Sequence, residues 1–288
     1  MPATLLVKPH EKDLGGGFVV RRSLPAAAQR AVGPFIFFDH FGPTVRHPTD
    51  NFDVRPHPHI GLATVTYLFE GAMMHRDTLG SVQRIEPGAI NWMTAGKGIA
   101  HSERGPDDLK AAPYSVHGLQ LWTALPLADE ECDPSFTHTP AADIPALRES
   151  LYTARVLIGS EFGLTSPVKT FAETLYIDFD AAPCAEITLP TRTGEYALYS
   201  VDGEVRIDGT TVPPKQLAVL DLSQPTTIQT DGSARFVIVG GAPLDAYRHM
   251  WWNFVSSRKE RIEEAKEDWR ESKFGVVPGE TEFIPLPE

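Results

Sequence analysis

Short apolar runs, four to eight residues long and rich in Val, Ile, Leu, Phe, Tyr and Thr, recur along this chain between turns made by Pro and Gly. Such runs predict strands of a many-stranded antiparallel fold: Thr64 to Phe69, Ala89 to Thr94, Val116 to Thr123, Leu175 to Phe179, Tyr196 to Val201, Gln216 to Leu220 and Arg235 to Val239. Helical periodicity is clear once, from about Ser256 to Ser272, where Ile262, Ala265 and Trp269 recur at helical spacing on an otherwise charged segment. A serine N-cap and Gly275 bracket that predicted helix. The chain is expected to be mainly β.

The order of strand, acidic-Gly turn, strand, turn and strand occurs twice, from Gly61 and again from Gly194. This weak repeat predicts two antiparallel β-barrels, over residues 1–135 and 136–288, with the helix in the second. The sharpest chemical signal lies in the first half. His57 and His59 in RPHPHIG, and His101 and Glu103 in GIAHSE, are two pairs spaced i and i+2. In a strand that spacing puts both side chains of a pair on one face, so two neighbouring strands would form a four-ligand cage. Imidazole nitrogens and a carboxylate suit first-row metals, and three nitrogens with one oxygen leave positions open to a substrate. Counted from the leading glycines, the second copy has Pro190 and Arg192 for the first pair, with Gln229 and Asp231 near the later strand. It is expected to lack a metal.

Composition narrows the function classes. The 288 residues are 42% hydrophobic, which supports a sizeable core. The net charge of −12, without a Lys/Arg block, argues against direct nucleic-acid binding. No apolar run approaches membrane-spanning length. Cys132 and Cys184 are the only cysteines, and the N-terminus lacks the apolar region of a secretory signal. A cytoplasmic protein with reduced thiols is expected.

Several segments together resemble the pirin family, bicupins of the cupin superfamily: VGPFIFFDHFGP (32–43), RPHPHIGLATVTYLFEG (55–71), HRDTLG (75–80), NWMTAGKGIAHSE (91–103), GLQLW (118–122) and the terminal WNFVSSRKERIEEAKEDW. An ordinary cupin takes its glutamate a few residues after HxH, where this chain has Ala63 and Thr64; Glu103 supplies the carboxylate instead. The resemblance implies two cupin barrels and one mononuclear divalent metal held by His57, His59, His101 and Glu103. Iron is the first expectation, with Mn, Ni, Co, Cu or Zn as alternatives. It also implies two functions between which the fold does not choose. One is a quercetin 2,3-dioxygenase acting on a flavonol with O2; the other is a redox-responsive regulator acting through a protein partner.

For the first function, metal coordination through adjacent hydroxyl and carbonyl oxygens would favour the flavonol enolate, with Glu103 as catalytic proton acceptor. Phe52, Met73, Trp92 and Met93 lie beside the ligand strands and could form an aromatic slot, although core packing is the commoner fate of such residues. Arg55 is a candidate to orient a substrate oxygen or hold Glu103. His75 is expected in a supporting or solvated position. His10, His40, His47, His117, His138 and His249 lack a companion at ligand spacing, and Gly15 to Gly17 read as a turn.

Overall fold

The computed structural model describes residues 5–15 and 17–288, so the central glycine of the Gly15 to Gly17 turn lies outside the described residues. The chain divides into two compact units, one of residues up to 11, 21–38 and 142–243, the other of 12–20, 39–141 and 244–288. Residues up to 11 and 21–38 cluster with 142–243, and the mid-chain passage between the units lies at 141/142. The terminal segment with its helix, however, belongs with residues 39–141, because Ile262, Ala265 and Trp269 cover Ile60, Ala100 and Phe254 there.

Every predicted strand is present, most of them longer than the apolar run that announced them: Leu62–Glu70, Ile90–Thr94, Tyr114–Ala124, Thr174–Ala181, Glu195–Asp202, Leu217–Leu220 and Ala234–Gly241. Sheet pairing continues past the apolar stretch wherever a neighbour satisfies the backbone. The helix is Lys259–Arg270, shorter than predicted, and its N-cap is Arg258 rather than a serine. The physical reason is competition for the hydroxyls. Ser257 donates its backbone N–H and its hydroxyl to Glu130 instead, at 2.9 and 2.7 Å, and Ser256 lies in the strand Phe254–Ser256.

Each unit contains a four-stranded antiparallel sheet of the same strand order. In the first-named unit it runs Glu186–Leu189, Thr226–Thr230, Val205–Ile207, Thr210–Val212. In the other it runs Val54–His59, Ile99–Arg104, Met73–Asp77, Val82–Ile85. Each faces a larger sheet across an apolar core. Ile187, Ile228, Val205 and Val212 pack against Leu175, Phe179, Leu198 and Phe236 in one, and Met73 and Ile85 pack against Phe41, Leu68 and Val116 in the other.

The matching sheets explain where a metal can be held. Register places His57 opposite His101, and His101 opposite Asp77, in one inward row. The corresponding row of the other unit is Ile187, Ile228 and Ile207. Ile228 lies in that buried row, whereas the side chain of its neighbour Gln229 bonds Glu186 at 2.9 Å on the outside. A row of buried isoleucines offers no donor atoms, so what it contributes to that unit is packing. Ile228→Ala should cost about 2–5 kcal/mol of stability and leave metal content unchanged, as read by denaturant unfolding alongside elemental analysis.

Candidate metal centre

The Val54–His59 and Ile99–Arg104 strands form the edge and the next position of the four-stranded sheet. His57, His59 and His101 are buried, with exposures of 7%, 1% and 1%. One nitrogen from each lies within 4.8 Å of the others. The Nε2 atoms of His59 and His101 are 3.1 Å apart, and His57 Nδ1 lies 2.9 Å from the Arg55 carbonyl, which leaves its Nε2 for the centre. Gly61 ends the first ligand strand with φ +70°, and a Cβ there would fall 2.0 Å from the Val255 carbonyl oxygen. Only glycine fits that close approach.

Glu103 is not part of the three-histidine group. Glu103 lies opposite Val54 of the first ligand strand, across a register shift in which that strand holds the extra residue. It lies opposite His75 on the neighbouring strand. Burial pushes its pKa up to about 7, against the lowering effects of the Thr66 hydroxyl and the Arg46 charge. Arg46, not Arg55, is thus the arginine that acts on Glu103. Its guanidinium is buried over the rings of Phe18 and Phe52 and donates to the Phe52 carbonyl at 2.8 Å, whereas Arg55 is exposed.

Desolvation sets the histidine electrostatics. It lowers the pKa of His57 to about 4, with the Arg55 carbonyl partly opposing, and it lowers those of His59 and His101 well below the usual imidazole value. All three imidazoles are consequently neutral near pH 7, the form that ligates metals. Nδ1 of His59 is buried without a well-directed hydrogen bond. Three neutral donors with a carboxyl nearby are a donor set that fits a first-row metal. Among the described residues this is the one group of three or more such side chains close enough to hold one.

Other candidates fall into place around it. Phe52 and Met73 join the apolar cluster with Phe18, Phe41 and Leu68. Trp92 spends its indole N–H on Thr94 at 3.1 Å. The tryptophan beside the imidazoles is Trp122, its ring 5.1 Å from that of His59; its pairing with Thr64, two residues from Thr66 on the same face, could have been read from the alternation. His75 is buried, 2.9 Å from Asp77 and 3.4 Å from His101. Asp77 was not legible as part of the site, since nothing in HRDTLG marks it apart from an ordinary turn residue. His40 and His117 are not solitary but form a buried pair with Nε2 atoms 2.7 Å apart, and His138 bonds Asn91 at 2.7 Å.

Two cupin domains with a histidine cluster in one of them define a bicupin, and comparison with known proteins agrees. Residues 17–123 match the Pirin family and residues 176–275 the Pirin C-terminal cupin domain. A pirin-like protein of Caulobacter vibrioides is 42% identical over 99% of both chains. A crystal structure of quercetin 2,3-dioxygenase from Acinetobacter baumannii superposes with a TM-score of 0.92 at 33% identity, covering 99% of this chain and 95% of that one. A bacterial pirin from Escherichia coli, solved in complex with nickel(II), shares the fold at a TM-score of 0.67 and 16% identity, covering 84% of this chain and 100% of that one. The chain belongs to the pirin family.

The pKa directions set the acid stability of the metal-stripped protein. Unfolded imidazole titrates near 6.5 and folded His57 near 4. Between those values the unfolded chain binds the proton that the folded one refuses, so stability is full above pH 6.5 and falls as the pH drops towards 4. Glu103 has the opposite sign: its contribution is present below 4.5 and is lost as the pH rises through 7. With three histidines against one carboxyl, the denaturant midpoint of the stripped protein should fall from pH 6.5 to 4.5, and less steeply in His101→Leu. A midpoint equally steep in the variant would contradict this account.

Proposed function

We propose that this protein is a metal-dependent dioxygenase of the pirin type that opens a flavonol such as quercetin with O2. The observation that carries this reading is the desolvated three-histidine cluster beside a carboxyl whose pKa is raised to about 7. Its likeness to the Acinetobacter quercetin 2,3-dioxygenase over nearly the whole chain supports the choice of substrate. His57, His59 and His101 would hold the metal, with Glu103 as fourth ligand. When bound, the metal supplies Lewis acidity that lowers the pKa of a coordinated hydroxyl.

The chain's own residues do the rest. Glu103 is poised near neutrality, so a carboxylate oxygen can take the flavonol hydroxyl proton and hold it. The Thr66 hydroxyl and the Arg46 charge stabilise the ionised form that begins the step. Trp122 flanks this space with apolar surface, its ring 5.1 Å from that of His59, and so helps exclude water from it. Iron remains the first metal to test, and nickel(II) is a useful probe given its presence in the Escherichia coli pirin. The two free cysteines suit a reducing compartment such as the cytoplasm. The second reading, a redox-responsive regulator working through a protein partner, uses the same cluster.

Mild purification should yield close to one equivalent of a first-row metal per chain. His57→Ala combined with His101→Ala should abolish it; undiminished binding would remove the assignment.

Glu103→Gln keeps the shape of the side chain but loses the base and the charge. Metal retention should weaken, and at full occupancy restored by excess metal the rate of quercetin-dependent oxygen uptake should stay about 100-fold or more below wild type, in the range of a lost general base. Full recovery on loading would leave Glu103 as a ligand only. Absence of any flavonol-dependent oxygen uptake by the fully loaded wild type would replace the dioxygenase reading with the regulatory one.

A further inference from the structure

His75 and Asp77, on the Met73–Asp77 strand, are buried side chains outside the proposed donor set, yet they are joined to it in series. Asp77 Oδ2 lies 2.9 Å from His75 Nε2, and His75 Nδ1 lies 3.4 Å from His101 Nδ1. Both side chains are fixed from behind. The His75 ring stacks on Phe136 with centroids 4.2 Å apart and planes 10° from parallel. The other Asp77 oxygen accepts backbone N–H groups from Leu79 and Ser81 at 2.9 and 3.0 Å. Backbone pairing of His101 with Asp77 and of Glu103 with His75 sets the two strands in this register.

The direction of the hydrogen bonds follows from what each group can do. A carboxylate only accepts, so the shared proton sits on His75 Nε2. A neutral His75 then has its lone pair at Nδ1, where it accepts from His101 Nδ1–H. His101 is left with its lone pair at Nε2, the atom that faces His59 Nε2 at 3.1 Å and the centre of the cluster. His57 is oriented by an uncharged backbone carbonyl at 2.9 Å, whereas the chain behind His101 ends in a carboxylate. Such outer partners fix the tautomer of a ligating imidazole and strengthen it as a donor. We infer that Asp77 and His75 are positioning residues, a two-residue relay that sets His101 in its metal-binding tautomer and increases its donor strength. The inference rests on the metal-site reading proposed above.

The test uses the full chain, stripped of metal and titrated with Ni(II) against a competing chelator. His75→Phe keeps an aromatic ring against Phe136 but has neither nitrogen, and should weaken Ni(II) affinity about 10–100-fold, the usual range for a lost outer partner. His75→Asn, with an amide oxygen near the former Nδ1, should recover part of that loss. Asp77→Asn, which can still serve the turn, should weaken binding several-fold. A brace for the turn alone would change thermal stability without changing the His101 proton. In Co(II)-loaded wild type, the hyperfine-shifted His101 Nδ1–H should therefore exchange slowly with solvent, and in His75→Phe it should exchange fast or vanish. If His75→Phe does not fold, Asp77→Asn decides by the same two readouts. Wild-type affinity and an unchanged His101 N–H signal in the folded variants would overturn the relay while leaving the metal site intact. Failure of wild type itself to bind Ni(II) and Co(II) would instead overturn the metal reading, and the relay with it.

Discussion

Three imidazoles taken out of water on two adjacent strands are the constraint to which the rest of this structure answers. An imidazolium has no place in that space: burial lowers the pKa of all three histidines, and any one that charged would repel its neighbours. The protein keeps them neutral by enclosing them between two sheets, and it holds their other nitrogens with oriented partners where it can. A cluster of neutral donors that point at one another is poorly satisfied by itself, as the 3.1 Å approach of the His59 and His101 Nε2 atoms shows. A metal would resolve that frustration.

The same enclosure works on Glu103 with opposite sign. Desolvation favours the neutral form of an acid as it favours the neutral form of a base, so the environment that prepares the histidines to ligate also raises the carboxyl towards neutrality. Glu103 stands two residues from His101 on one strand, beside the three-histidine group rather than within it. One low-dielectric space thereby gives two kinds of group the protonation states that metal-assisted proton abstraction needs. The unit of residues 142–243 repeats the sheet and omits the histidine cluster. Its row of Ile187, Ile228 and Ile207 carries no buried polar group and needs no partners.

Strands, their alternation and the three-histidine face were legible in the sequence because each depends on neighbours along the chain. Runs of β-branched and aromatic residues named the central strands, and the i, i+2 spacing put His57 with His59 on one face and His101 on another strand's equivalent face. Local sequence did not show that the serines before the helix would be claimed by Glu130, 127 residues away, so the N-cap shifted to Arg258. Nor did it show that Arg46 rather than Arg55 would act on Glu103, since exposure depends on which strand covers which.

By itself, then, the sequence determined the mainly β character, the repeated sheet, the single helix and the identity of the donor atoms, all of which follow from periodicity and residue chemistry. Only the tertiary structure decided what those atoms experience. Cross-strand register brings His57, His101 and Asp77 into one row and places Glu103 opposite His75, and Phe136 from a distant strand packs on His75. The physical reason is that a strand's own spacing fixes the face on which a side chain lies. Its partners and its distance from water are fixed by chain segments that meet it through hydrogen-bonded register and packing.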